Sequence, residues 1–376
     1  MKKFFKKAAI FIGGLFLVTF IAIALFMNMS PQFGGIVSKE QQREFEKLDH
    51  YNDGKFLNFE PIKMNFDFDN ISKIVQQLLN PVANTKPKNN ITVTKFDLTT
   101  LHNQTIGKTR VTWLGHSSFL IEIEGKTILL DPVFSEYASP LDISSAKRFI
   151  NTMPFKLEDL KTIDAVIISH DHYDHLDYKT ILKIKDKVKH VFTPLGVGNH
   201  FKAWEVDASK IQELDWWQET SLGTIKLVCA PARHMSGRGL LDQSSTLWSS
   251  WCILGKNQKL YFSGDGGYGN HFSEIGEKYG PFDLAMLECG QYDEKWAGIH
   301  MIPEETVQAG IDVKATTMMP IHWGAFKLAN HTWTDPVERF VKKSTELKTN
   351  YVTPKIGQSI TLTSDNYPQK KWWENL

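Results

Sequence analysis

The sequence predicts an α/β chain in which mixed β-sheets are covered by helices and one apolar N-terminal helix precedes them. Three observations predict it. From Val111 onward, short β-type runs recur and alternate with helical stretches. Several of those runs end in a histidine or an aspartate, so that strand ends carry polar chemistry. Ahead of them, Ala8 to Met27 is an apolar stretch of bilayer length. Sheets with helices packed on their faces are the layering that such an alternation selects.

The chain has 376 residues, 42% of them hydrophobic and 12% aromatic, enough to bury the core of one large or two medium domains. Its 43 basic residues almost balance 42 acidic ones, giving a formal net charge of +1. That near-zero field offers no broad means of neutralising a phosphate backbone, so no nucleic-acid partner is expected. The three cysteines, Cys229, Cys252 and Cys289, sit in apolar strand-like runs ("KLVCA", "SWCIL", "MLECG"). An odd number cannot all pair within the chain, and buried thiols without a disulfide framework are expected.

The first element, residues 1–28, reads as a membrane anchor. "MKKFFKK" precedes "AAIFIGGLFLVTFIAIALFM", which as a helix at about 1.5 Å per residue spans about 30 Å. Lys2, Lys3, Lys6 and Lys7 precede the span, and the next basic residue is Lys39. This asymmetry places the N-terminus in the cytoplasm and the remainder outside it. A rival reading is cleavage near the "AIA" of Ala22 to Ala24, as in a signal peptide.

Residues 29–108 are polar and mixed, and read as an extension packing on the main domain. "SKEQQREFEK" fits a helix or a solvated arm, "YNDGKFLNF" a turn-rich segment, and "ISKIVQQLLN" a short amphipathic helix. Residues 109–364 form the main domain and 365–376 a tail. Strand-type runs are "VTWLG", "FLIEIE", "TILLD", "AVIIS", "HVFTP", "TIKLVCA", "WCILG", "KLYFSG", "DLAMLE" and "TTMMPIH", the second and third joined as a hairpin at Gly125-Lys126. Among the intervening helices are "YKTILKIKDK" and "PEETVQAGIDV", the latter opened by a proline and two acids.

Four runs deliver ligand-type residues. "AVIIS" leads to His170, His172, Asp174 and His175 within "SHDHYDHLD"; "TIKLVCAPAR" leads to His234; "LYFSG" leads to Asp265; and "MMPI" leads to His322. In an extended segment His170 and His172 point the same way, and a turn after Tyr173 aims Asp174 and His175 at a second point. One loop thus serves two sites. Imidazole and carboxylate donors without thiolate suit zinc, iron or manganese, and an aspartate shared by two ions fits a dinuclear hydrolytic centre. A charged surface turn would account for a lone H-x-H. It does not account for H-x-H-x-D-H followed by three further ligands at strand ends.

"HDHYDH" followed by separate His, Asp and His resembles the metallo-β-lactamase superfamily. The segments "TWLGHSSFLIE", "LDPVFSEYASP", "PARHMSGRGLLDQSSTLWSSW", "FSGDGGYG", "HMIPEE" and "IHWGAFKLANH", with "YNDGKFLNF" in the extension, are similar to the branch that contains N-acylphosphatidylethanolamine-hydrolysing phospholipase D and its bacterial relatives. The resemblance covers about Tyr51 to Trp333. It implies an αββα sandwich with a dinuclear site at one edge. It also implies His170, His172 and His234 as ligands of one ion, Asp174, His175 and His322 as ligands of the other, and Asp265 as the bridge. The chain departs from the branch at "ECGQY", Glu288 to Tyr292, so the pocket wall differs there.

The chemistry expected of such a site is hydrolysis by a hydroxide formed between two zinc ions, with Asp265 and Asp174 orienting it and taking its proton. The absence of a G-x-S-x-G elbow agrees with a mechanism lacking a protein nucleophile. Asp131, Asp171 and Asp177 are the carboxylates within reach to orient ligand imidazoles. His116 in "LGHSS" and His300 in "IHMIPEE" resemble pocket positions of the branch, where either would meet a phosphate or leaving group, with burial in the core as the alternative. His50, His102, His190, His200 and His271 read as structural or surface residues, and His331 as intermediate. The tryptophans, among them Trp216, Trp217, Trp248 and Trp251, read mainly as core with a lipid-facing groove as the alternative. "QKKWWENL" reads as an interfacial patch. The leading expectation is therefore a membrane-tethered zinc phosphodiesterase of phospholipase D type, acting on a phospholipid or other small-molecule substrate. Lactone or ester hydrolysis on the same metals, a nuclease, and a non-catalytic metal-binding membrane module remain alternatives, and the oligomeric state is open.

Overall fold

The computed structural model describes residues 2–62, 82–101, 108–143, 146–362 and 367–376. The chain opens with α1 (Lys2–Met29), whose segment Phe4–Met27 has a mean hydropathy of 2.7 and buries none of its surface in the protein. It is long and apolar enough to cross a membrane. Ser38 then starts α2 (Lys39–Phe45): its Oγ accepts the Gln41 N–H while Gln41 Oε1 accepts the Ser38 N–H, a reciprocal cap. The turn-rich segment is a hairpin of β1 (Tyr51–Asn52) and β2 (Lys55–Phe56). Its Asp53-Gly54 turn has φ 51° and 76°, the positive pair that a tight hairpin needs. Phe45, Tyr51 and Phe56 pack against Leu247 and Trp248 of the main body, which holds the extension in place. The amphipathic stretch "ISKIVQQLLN" and His102 lie outside the described residues.

The first sheet contains β3 (Arg110–Gly115), β4 (Ser118–Ile123), β5 (Lys126–Leu130), β6 (Ile163–Ile167), β7 (Val188–Pro194) and β8 (Ile211–Leu214). Between them run α3 (Tyr178–Ile184) and α4 (Gly198–Ala203). The second sheet contains β9 (Glu219–Leu222), β10 (Ile225–Ala230), β11 (Ser250–Leu254), β12 (Lys259–Phe262), β13 (Leu284–Glu288) and β14 (Met318–Ile321). Its helices are α5 (His271–Lys278), α6 (Pro303–Asp312) and α7 (Asp335–Glu346). The chain then returns to the first sheet with β15 (Ser359–Thr361), giving the orders β15-β3-β4-β5-β6-β7-β8 and β14-β13-β12-β11-β10-β9. Each sheet is antiparallel over one half and parallel over the other.

Alternation along the strands fixes the layers. Phe119, Ile121 and Ile123 of β4 share one core with Leu227, Trp251 and Phe262 of the second sheet. Leu120, between them, joins Val166 and the helix residues Ile181 and Ile184 on the opposite face. The second sheet is covered in turn by Phe272 of α5, Val307 of α6 and Phe340 of α7. The result is the expected αββα sandwich with mixed sheets, whose strands are buried on both faces and therefore read as continuous apolar runs.

All ten strand-type runs form strands, and the three cysteines are buried free thiols. Three details differ from expectation: one turn, three strands and the tail. The β4–β5 turn is Glu124-Gly125, not Gly125-Lys126, because Ile123 pairs with Lys126 and the two turn residues take φ 49° and 73°. Three edge or near-edge strands, β8, β9 and β15, were not anticipated. As expected, Trp248 and Trp251 are core residues, and their indole N–H groups donate to the Ala232 and Ile168 carbonyls. The tail is no interfacial patch: Trp373 is buried, donates to Glu338 Oε1 at 2.6 Å, and packs with Trp323 and Trp372.

Candidate metal centre

Parallel strands bring their C-terminal ends to one edge, and there polar residues gather from both sheets. Asp131 follows β5, Ser169 and His170 follow β6, His234 follows β10, Asp265 follows β12, Glu288 ends β13 and His322 follows β14. His116 lies in the tight β3–β4 connection. His116, Asp131 and His322 take φ of 53°, 39° and 66°, the left-handed region that non-glycine residues seldom occupy. Backbone strain of this kind persists where the surroundings dictate side-chain aim.

Two groups of side chains form. In the first, His170 Nε2 lies 3.0 Å and His234 Nε2 lies 3.3 Å from His172 Nδ1. The outer ring atoms of two of these residues are committed elsewhere: His234 Nδ1 faces the Ile299 carbonyl at 2.9 Å, and His170 Nδ1 faces Ser169 Oγ at 3.0 Å. The Ile299 carbonyl only accepts, and Ser169 Oγ donates to Asp131 Oδ2 at 2.5 Å, so both Nδ1 atoms carry the proton. Their Nε2 lone pairs must then aim inward at one point. Burial, with the neighbouring histidines adding to it, holds His170 and His234 well below the ordinary histidine range, so both rings are neutral.

In the second group, Asp174, His175 and His322 cluster with His116, each offering an atom within 4.8 Å of the others. His175 Nδ1 contacts Asp131 Oδ2 at 2.7 Å. Asp265 stands between the groups: Oδ2 is 3.1 Å from His175 Nε2, 3.9 Å from His170 Nε2 and 4.0 Å from His234 Nε2, and Oδ1 is 3.1 Å from His322 Nδ1. His175 Nε2 and Asp265 Oδ1 are nevertheless buried atoms without a hydrogen-bond partner. Close approach without hydrogen-bond geometry is what donor atoms show when they point at a common third position.

The electrostatics agree. Burial opposes a charge on His175, yet Asp265, Asp174 and Asp131 outweigh it and hold the ring well above the ordinary range. Asp174 stays far below the usual carboxylate range because His175, His116 and His322 overcome its burial. Burial pushes Asp265 up to about 6, with His175 pulling the other way. Asp174 and Asp265 thus share the His175 Nε2 side, at 3.6 and 3.1 Å, where a cation would satisfy both and its binding would release the Nε2 proton. The donors fit one or two divalent ions.

The other expected residues fall into distinct places. His116 is fully buried and its Nε2 is spent on Asp174 Oδ2 at 2.8 Å. Through that bond it aims Asp174, while its Nδ1 is buried without a hydrogen-bond partner. His300 is half-buried beside His234 and His322. Of the three carboxylates expected to orient ligand imidazoles, Asp131 alone contacts one, accepting from His175 and from both the N–H and Oγ–H of Ser169. Asp171 instead binds His200 Nε2, the Gly237 N–H and Thr246 Oγ. Asp177 caps α3 and receives the Phe134 and Ser135 N–H groups. His50 bonds Asp215 and stacks on Trp216, His271 packs between Phe59 and Phe272, His190 is exposed, and His331 accepts the Gln291 N–H.

Two contributors were not anticipated. Asn58, in the extension, pairs with both backbone groups of His234 at 2.7 and 3.0 Å and so fixes its place. Glu288 is fully buried, held above the usual carboxylate range by that burial, and accepts from His300 Nδ1 at 3.1 Å and the Met301 N–H at 2.9 Å. A carboxylate closing an apolar run, "DLAMLE", is the signal that would have found it, since Asp131, Asp265 and His322 follow the same pattern. Glu288→Ala frees His300 to turn, and should lower kcat about tenfold with little change in KM, while Glu288→Gln should recover most of the loss. Steady-state kinetics of the three proteins check this.

Residues 126–323 match the beta-lactamase superfamily domain. An uncharacterised protein of Mycobacterium tuberculosis is 38% identical over 335 residues, which cover 87% of this chain and 88% of that protein. The N-acyl-phosphatidylethanolamine-hydrolyzing phospholipase D 1 of Caenorhabditis elegans is 36% identical over 265 residues, 66% of this chain and 74% of that enzyme. Among solved structures, a metallo hydrolase of the archaeon Ignicoccus hospitalis superposes with a TM-score of 0.52 at 20% identity, covering 69% of this chain and 100% of the other, a likeness of fold.

Proposed function

This chain belongs to the metallo-β-lactamase superfamily and is a metal-dependent hydrolase, and from that premise we propose that it cleaves the phosphodiester of N-acylphosphatidylethanolamine-like lipids with two zinc ions. The observation that carries the reading is Asp265 set between two convergent donor groups, in a chain 36% identical to a lipid phosphodiesterase over most of that enzyme. His170, His172 and His234 would hold one ion, Asp174, His175 and His322 the other, with Asp265 touching both. When bound, such a pair supplies Lewis acidity and an activated water, and imidazole with carboxylate suits zinc, with iron or manganese also compatible.

The chain's own residues do the rest. Asp131 and Ser169 lock the His175 and His170 rings with Nε2 inward, and the Ile299 carbonyl does the same for His234. Asp174, kept ionised by its histidine neighbours and aimed by His116, orients the attacking water and accepts its proton. His300, anchored through Nδ1 by Glu288, keeps Nε2 for a phosphate oxygen or the leaving group. The lysines in the first turns of α1, ahead of its apolar span, favour a cytoplasmic N-terminus with the hydrolase domain across the membrane.

Asp131→Asn keeps the shape but gives His175 Nδ1 a weaker partner. It should weaken metal affinity by about 10- to 100-fold, read by chelator competition and metal analysis of the purified protein. The function itself is tested by incubating the full chain, in detergent and loaded with zinc, with N-acylated phosphatidylethanolamine, a lactone series and simple carboxylic esters. Release of phosphatidic acid and an N-acylethanolamine is expected. Turnover confined to lactones or esters would place the chain in the carboxylic ester class.

A further inference from the structure

The foot of α1 does not dangle from the sandwich; it is docked on the edge that carries the candidate metal centre. Phe26 of α1 meets Phe33 edge-on at 5.7 Å, and Phe33 meets Tyr173 edge-on at 6.3 Å. Tyr173 sits within the ligand loop, between His172 and Asp174. Beneath this ladder the buried Arg238 joins the segment after α1 to the same loop. Its Nε and Nη2 donate to the Gln32 carbonyl at 2.9 and 2.7 Å, and its Nη1 donates to the Asp171 and Leu176 carbonyls at 2.6 and 2.8 Å. Trp204 Nε1 adds a bond to the Pro31 carbonyl at 2.7 Å. A bilayer that holds Phe4–Met27 must then end close to the ligand loop.

Apolar side chains stand exposed on both sides of that foot. On one side Gly239 abuts the helix end so closely that an added Cβ would lie 2.8 Å from Met27 Cε. The next two residues, Leu240 and Leu241, are 71% and 94% exposed. On the other side Gln32 Nε2 donates to the Pro140 carbonyl at 3.1 Å, and Leu141 and Ile143 beyond it are 50% and 46% exposed. Adjacent leucines held in water are unfavourable unless another apolar phase covers them. The membrane plane set by α1 brings that phase to them.

We propose that the site edge lies flat on the bilayer, with Leu240 and Leu241 inserted among the lipids as a second contact beside α1 and Leu141 and Ile143 as its flank. The anchor then orients the hydrolase as well as tethering it. Lipid headgroups meet the metal centre at the membrane surface, and Arg238 keeps the ligand loop in register with that surface. The inference rests on α1 spanning a membrane, and is independent of which bond the enzyme cleaves.

The test uses the full chain in phosphatidylcholine vesicles containing nitroxide-labelled acyl chains. The native cysteines are buried, so a fluorophore can be placed at Leu241→Cys, at Leu141→Cys, at Phe16→Cys within α1, and at Leu347→Cys. Leu347 follows α7, close to Asn350, whose carbonyl accepts from the first residue of β14 at the end of that strand away from the site. Emission from positions 241, 141 and 16 should be largely quenched, and that from 347 should be unaffected. Quenching at 16 without quenching at 241 overturns the second contact while leaving the anchor in place. No quenching at 16 removes the membrane premise and the inference with it. Equal quenching at 347 would mean that the sandwich has no fixed orientation.

Discussion

Asp265→Asn should lower turnover by about 10²-fold or more, with the circular dichroism spectrum unchanged. Asparagine fills the same volume but removes a carboxylate charge that lies within 4.0 Å of donors in both groups. Without it the two sites lose their shared ligand, and bound metal should fall towards one ion per chain. His175 also loses the first of the carboxylates that sustain its charge. Single-turnover rates measured alongside metal content separate this from misfolding. Full activity with two ions retained would remove the bridging role.

Stripping the metal should have the second largest effect. A chelator should abolish activity, and zinc should restore it. His170 and His234 are buried, and their Nε2 atoms lie 3.0 and 3.3 Å from His172 Nδ1, a crowding of nitrogen donors that a cation relieves. Ions present at a thousand times their dissociation constant contribute about 4 kcal/mol to the folded state, which for a domain of this size is a melting shift on the order of 10 °C. Differential scanning fluorimetry of stripped and reloaded protein reads it, and an unchanged melting temperature would argue that the donors hold no ion.

Much of this was legible because the sandwich places chemistry at strand ends. An apolar run that stops at His170, Asp265 or His322 records both a buried strand and the edge where it terminates, so strands and ligand candidates emerged from one pattern. The strands that escaped notice, β8, β9 and β15, are short, lie at sheet edges, and are rich in polar residues, as in "IQEL" and "ETSL". Their periodicity is too brief to stand out from loops. Asp131 was legible as a strand end, whereas Asp171 and Asp177 were misassigned because proximity in sequence to histidines says nothing about where a turn aims a carboxylate. Asn58 and Arg238 act through backbone groups over separations of 176 and 206 residues, and no local pattern encodes such partners. The tail's Trp372-Trp373 looked interfacial because the lysines beside them are polar; packing against Trp323 decided otherwise.

The central claim is that the chain hydrolyses a phosphodiester with water activated between the two donor groups. It is tested most directly by running the reaction on N-acylated phosphatidylethanolamine in ¹⁸O-labelled water and analysing both products by mass spectrometry. The account predicts one solvent oxygen on the phosphate of phosphatidic acid and none on the N-acylethanolamine. Label on a carboxylic acid, with the phosphodiester left intact, would contradict it.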